Sequence, residues 1–284
     1  MKIKKILAGI DFGPATDNVI AYVSFFAGAV DASVSLLYVI DYLVTPPAYL
    51  GTYIEEEKNA AGNKFEALDR QLAGNGIQTE SEVIVGRLQE SFEEAIKKKG
   101  PDMLALGFMH HALRRSSSEK LIKGLTVPML VVRGEKAESS RNGQLKIGRI
   151  VCPVDFSDIS KKALRTAAEL SKIFSSKLSV IYVVPTHIIR KNIYEINDID
   201  GLVNKLLEES RDKLDAFVHD IDIKEPCLTE EGEPDKRIVS FSRENDADLI
   251  VIGARGLGLI KGMLIGSVTD AVLKSSPCPV LVIH

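Results

Sequence analysis

Asp248-Leu249-Ile250-Val251-Ile252-Gly253-Ala254-Arg255-Gly256, followed after nine more residues by Gly266-Ser267-Val268, is the stretch from which the chain is best read. Leu249 to Ile252 is an apolar run of strand length that stops at glycine, and Val268 to Lys274 reads as a helix. A buried strand therefore enters a glycine-rich loop that leads to a helix N-terminus. Glycine allows positive φ and close approach of a ligand to the main chain, while the first N–H groups of a helix are unpaired and carry positive dipole charge. The combination suits an anion, most simply a phosphate. A strand-to-helix turn whose glycines serve geometry alone is the alternative. Two familiar phosphate patterns are absent. Gly258 follows Gly253 by five residues, but Leu259 stands where a Walker loop needs lysine. Gly256 and Gly258 are followed by Lys261 where a dinucleotide fingerprint needs glycine.

Upstream, the chain alternates strands and helices. Lys5 to Asp11 reads as a strand ending in an acidic residue, and Thr16 or Asp17 is expected to cap a helix running to Val30. Strands are expected over Ser33–Ile40, Glu82–Val85, Met103–Leu106 and Pro128–Val132, with helices over Ile54–Ala73 and Ser91–Lys99. This alternation predicts an α/β fold with a parallel sheet.

The pattern then starts again. Ile150-Val151-Cys152-Pro153-Val154-Asp155-Phe156 repeats Ile6-Leu7-Ala8-Gly9-Ile10-Asp11-Phe12 at an offset of 144 residues, and Lys177–Val184 repeats Ser33–Ile40 at the same offset. Asp248–Gly253 repeats Asp102–Gly107 at an offset of 146, and Pro279–Ile283 repeats Pro128–Val132 at 151. Two domains, 1–134 and 149–284, are expected on either side of a polar linker over 135–148. Each half is long enough to bury a core of its own.

Composition narrows the function classes. The 284 residues are 45 % hydrophobic and 26 % charged with a net charge of −3, which gives no electrostatic footprint for nucleic acid. No apolar run reaches membrane-spanning length, and Asp11 interrupts the apolar stretch behind the basic N-terminus, so neither a span nor a signal peptide is expected. Cys152, Cys227 and Cys278 are widely spaced and form no CxxC pair. Buried apolar filler in a reducing cytoplasm is the expectation.

The spacing of Gly253, Gly256 and Gly266-Ser267 resembles the ATP-binding loop of the universal stress protein family, and the resemblance extends over both halves. It implies two tandem doubly wound, Rossmann-like domains, each with a five-stranded parallel sheet of order 3-2-1-4-5. In such a sheet the ligand crevice lies outside the carboxyl ends of the strands where the order reverses. That places it between the strands ending at Asp155 and Gly253. By the same resemblance, Pro153, Val154 and the Asp155 carboxylate hold adenine and ribose, and Val183 packs on adenine. Ile252 joins the nucleotide set, and Gly253, Gly256, Gly266, Ser267 and Val268 match phosphate contacts. Arg255 and Lys261 would add cationic donors. Each residue also has an ordinary reading. Asp155 could start a turn, Ser157 or Asp158 could cap the next helix, Val183 could be core, and Ser267 could be a helix cap.

The implied ligand is ATP, with AMP or ADP as alternatives and Mg²⁺ as an accompanying ion. The implied role is regulatory, in a stress response. The fifth strands, Pro128–Val132 and Pro279–Ile283, are expected to pair as an intramolecular pseudo-dimer, with a homodimer as a further possibility. No metal ligands are assigned. His187, His219 and His284 are read as isolated.

The first copy departs from the loop pattern. Seven residues separate Gly107 from Arg115, against twelve between Gly253 and Gly266, and His110 stands at the second glycine. Arg115 aligns with Gly266 and Ser116 with Ser267, so the first domain is not expected to bind ATP in the family manner. A role for His110-His111, Arg114-Arg115 and Ser116-Ser117-Ser118 is left open. Efficient phosphoryl transfer is not expected either, because no base or arginine-finger residue emerges by spacing. A slow Mg²⁺-dependent ATPase and a nucleotide-free dimerisation scaffold are the alternatives to a binding protein.

Overall fold

The computed structural model describes residues 2–41, 50–108, 117–133, 145–188, 198–256 and 264–284. Two compact units divide between Leu145 and Lys146. The first unit runs β1 (Lys5–Gly9), α1 (Thr16–Val30), β2 (Ser33–Ile40), α2 (Leu50–Gly74), β3 (Thr79–Val85), α3 (Leu88–Lys99), β4 (Met103–Phe108), α4 (Ser117–Gly124) and β5 (Met129–Arg133). Its strands lie in the order β3-β2-β1-β4-β5, each pair parallel. The second unit repeats this with β6 (Arg149–Val154), α5 (Asp158–Phe174), β7 (Lys177–Val184), α6 (Ile199–Val218), β8 (Leu228–Glu231), α7 (Pro234–Glu244), β9 (Leu249–Gly253), α8 (Ser267–Ser275) and β10 (Val280–Ile283). Its order is β8-β7-β6-β9-β10, again parallel throughout. The predicted order 3-2-1-4-5 thus holds in each unit.

The central strands are continuous apolar runs because helices cover both faces. Leu249 to Ile252 and Val280 to Ile283 are all buried. On α5, Ala163, Leu164, Ala167, Ala168 and Leu170 form the buried stripe of an amphipathic helix. Ser157 caps that helix by accepting from Ser160 N at 3.1 Å.

Two side-chain contacts recur in both units. Asp102 Oδ2 accepts from Lys4 N and Lys5 N at 2.7 and 3.0 Å. Asp248 Oδ2 accepts from Gly148 N and Arg149 N at 2.8 and 3.0 Å. Each carboxylate ties the start of a fourth strand to the start of a first, extending the parallel ladder by a side chain. At the opposite end, Ser118 Oγ donates to Gly107 O at 2.5 Å and Thr269 Oγ1 donates to Gly253 O at 2.8 Å. These hydroxyls fix the last helix of each unit to the end of its fourth strand.

Some expectations needed correction. Helix α1 is capped by Ala15 without a side-chain bond, not by Thr16 or Asp17, which already lie in the helix. Strand β3 begins at Thr79 rather than Glu82, because pairing with β2 from Val34↔Thr79 onward, not apolarity, decides its length. The strand expected to run to Asp11 ends at Gly9, and Asp11 belongs to the following turn. Among the described residues no helix is long and apolar enough to cross a membrane.

Candidate functional site

In the second unit the order of strands reverses at β6 and β9, and there the ladder is short. It consists of Ile150↔Leu249 and Val151↔Ile250, whereas β1 and β4 pair from Ile6↔Met103 through Gly9↔Leu106. The cause is Pro153. Ile10 N donates to Leu37 O on β2, so by the two-residue period of a strand the N–H of Gly9 faces β4. Its counterpart Pro153 has no N–H to give β9. The β6–β9 ladder therefore stops two pairs short of the β1–β4 ladder, before Val154 and Gly253.

Asp155 follows the carboxyl end of β6 in a built turn. Its Oδ1 accepts from Ser157 N at 3.1 Å and Ser157 Oγ at 2.6 Å. Phe156 takes a left-handed φ of +67°, an uncommon conformation for a non-glycine residue. Its ring is held 4.4 Å from that of Tyr182 and 5.5 Å from that of Phe217. The first unit repeats the turn, with Phe12 at φ +54° and Gly13 N donating to Asp11 Oδ1 at 2.8 Å. Burial and then the charge of Asp155 raise the Tyr182 phenol above its ordinary pKa.

The glycine loop closes on this carboxylate. A Cβ at Gly256 would lie 1.9 Å from Asp155 Oδ2. One at Gly253 would lie 2.9 Å from Ile159 Cγ2 and 3.3 Å from Ser160 N, so β9 ends hard against the first turn of α5. Gly107 makes the matching approach in the first unit, where a Cβ would lie 2.9 Å from Ala15 Cβ. Gly266 N donates to Ala254 O at 2.7 Å, which brings the start of α8 back onto the loop. Gly266 is the residue that caps α8, with extended φ and ψ of −76° and 158°.

Ser267, read from sequence as a possible cap, is instead the first residue of α8 and is exposed, and Val268 is half-buried. Pro153, Val154, Ile252 and Val183 are buried at the carboxyl ends of their strands. Val183 lies one residue beyond the last β6–β7 pair, Val154↔Tyr182, beside Asp155 in the sheet. Pro153, Val154, Val183 and Ile252 thus lie at the carboxyl ends of β6, β7 and β9, and Gly266, Ser267 and Val268 at the start of α8. Lys261 lies outside the described residues, as do His110, His111, Arg114, Arg115 and Ser116 of the first copy.

One expectation fails in this region. His284 is not isolated. Lys162 Nζ donates to its main-chain oxygen, and its imidazole is held down at about 4 by burial and by the charges of Arg255 and Lys162. Ala254 N donates to Ile283 O at 2.7 Å, which sets Arg255 beside the end of β10. Arg255 Nε and His284 Nε2 are both buried without a hydrogen-bond partner among the described residues. The three residues come from α5, the loop after β9 and the position following β10, so no spacing in the sequence announces them.

The family model described as universal stress protein matches residues 2–133 and again residues 146–284. The chain belongs to the universal stress protein family. A universal stress protein of Mycolicibacterium smegmatis is 22 % identical over 299 residues, covering 98 % of this chain and 96 % of the relative. The universal stress protein MJ0531 of Methanocaldococcus jannaschii is 33 % identical over 147 residues, covering 50 % of this chain and 85 % of the relative. A solved universal stress protein from Archaeoglobus fulgidus superposes with a TM-score of 0.75 at 22 % identity, covering 100 % of this chain and 99 % of that one. The last match is one of fold. Within this universal stress protein the two copies share the acidic turn and the close glycine at the end of the fourth strand. They differ in that Pro153 replaces Gly9.

Proposed function

We propose that this universal stress protein is a regulatory binding protein that holds an adenine nucleotide in its second unit. ATP is the reading, with ADP or AMP as alternatives. The observation that carries it is the close approach of Asp155, Gly256 and Gly266 beside the carboxyl ends of β6 and β9, where the ladder is short. A carboxylate accepts hydrogen bonds from ribose hydroxyls, and the exposed N–H groups at the start of α8 suit phosphate. Pro153, Val154 and Val183 supply an apolar wall and free strand-end backbone for a purine. The unpartnered Arg255 Nε fits an anionic ligand. Mg²⁺ bound with a triphosphate would neutralise phosphate charge, and Asp155 and Ser267 are the oxygen donors of the set. Asp155 Oδ1 is committed to Ser157, which favours a role in binding over one as a general base.

Mass spectrometry of nucleotide released by denaturing the purified chain tests this reading, alongside Gly266→Arg. The backbone at Gly266 suits any residue, and a Cβ there meets nothing closer than 3.6 Å. The variant should therefore fold while its side chain fills the phosphate approach. Adenine nucleotide in the wild type and its loss in the variant are expected. A wild type that carries none, even after incubation with ATP, contradicts the reading, and retention in the variant contradicts the location.

A further inference from the structure

We propose that Arg255 recognises the outermost phosphate of the bound nucleotide and so sets a preference for a triphosphate over a monophosphate. The inference rests on the nucleotide reading above and adds to it a residue and a selectivity. Several observations support it. Arg255 lies beside the start of α8: its Cα is 3.6 Å from a Cβ built at Gly266, the residue that caps that helix. Its next neighbour, Gly256, abuts Asp155. Its Nε is buried with no partner among the described residues. A buried donor without an acceptor is costly, and a guanidinium matches two phosphate oxygens at once.

His284, whose Nε2 is equally unpartnered, contributes a ring that is neutral at pH 7, and Lys162 contributes a cation. Finally, the position equivalent to Arg255 in the first copy is Met109, which carries no charge. The adenosine part of the ligand would be held by β6, β7 and Asp155, away from this cluster. Removing the guanidinium should therefore be felt by phosphate and not by nucleoside.

The test is calorimetric titration of the full chain, without divalent cations, with adenosine, AMP and ATP, for wild type, Arg255→Gln and Arg255→Lys. The wild type is expected to prefer ATP to AMP. Arg255→Gln should weaken ATP by about tenfold or more, equivalent to about 1.4 kcal/mol, while adenosine changes by less than about twofold. Arg255→Lys should recover part of the loss, since it keeps the charge without the planar fork. Equal weakening of adenosine and ATP would mark Arg255 as a loop support only, and unchanged binding of both would mean that water satisfies its Nε. Either result overturns the inference and leaves the nucleotide reading standing. A wild type that binds none of the three overturns both.

Discussion

Gly256 and Asp155 occupy each other's space: a Cβ on the glycine would fall 1.9 Å from Oδ2 of the carboxylate. The atom in the way is the end of a side chain, so Gly256→Ala is expected to displace the carboxylate rather than unfold the loop. Stability should change by less than about 1 kcal/mol, because the site is half-buried and the change adds one methyl. Nucleotide affinity should fall as far as in Asp155→Ala, and the double variant should be no weaker than either single one. Additive losses in a calorimetric cycle would show that the two residues act independently.

The carboxylate of Asp248 serves the fold, not the crevice. It accepts from Gly148 N and Arg149 N at the opposite end of the sheet from Gly253. Asp248→Ala should cost about 1–2 kcal/mol by leaving two donors at the strand edge without an acceptor. Asp248→Asn, which keeps an oxygen, should cost less. Urea titrations followed by circular dichroism measure both, and nucleotide affinity should be unaffected in either.

Cysteine reactivity should divide by burial. Cys152 and Cys278 are buried, and Cys227 is intermediate. Burial pushes the Cys152 thiol far above its ordinary pKa and the Cys278 thiol up to about 12. A thiol-specific disulfide reagent at pH 8 should modify Cys227 alone in the native chain, and all three cysteines after denaturation. Rapid native modification of Cys152 would contradict its place in the core of β6.

His284 makes stability fall in mild acid. Its native pKa of about 4 lies below the ordinary value of 6.5, so the unfolded chain binds the proton more readily. The contribution is complete above about pH 6.5 and is lost as pH falls towards 4. Arg255 and Lys162 supply the repulsion, and burial supplies more. His284→Gln should flatten the decline of melting temperature between those limits, whereas an unchanged slope would assign the decline to other groups.

Much of the architecture was legible because the repeat is read twice. Asp11 and Asp155, just after equivalent first strands, and Gly107 and Gly253, at or near the ends of equivalent fourth strands, reinforce each other, and the strand order followed from the family resemblance. The placing of Asp155 and Gly253 was legible for the same reason, since they lie at the carboxyl ends of the two strands that flank the reversal. Pro153 was named only as backbone near the adenine; that its missing N–H shortens the β6–β9 ladder emerges from strand register. Helix caps were misplaced where the capping residue has no polar side chain, as at Ala15 and Gly266. The meeting of Lys162, Arg255 and His284 had no signal at all, because three elements distant in sequence create it.

The most direct test of a single nucleotide site in the second unit is the stoichiometry of ATP binding to the intact chain by calorimetry, repeated on Asp155→Ala. The account predicts about one site per chain, with affinity reduced severalfold or more in the variant. Two equivalent sites, no site, or a single site indifferent to Asp155 would contradict it.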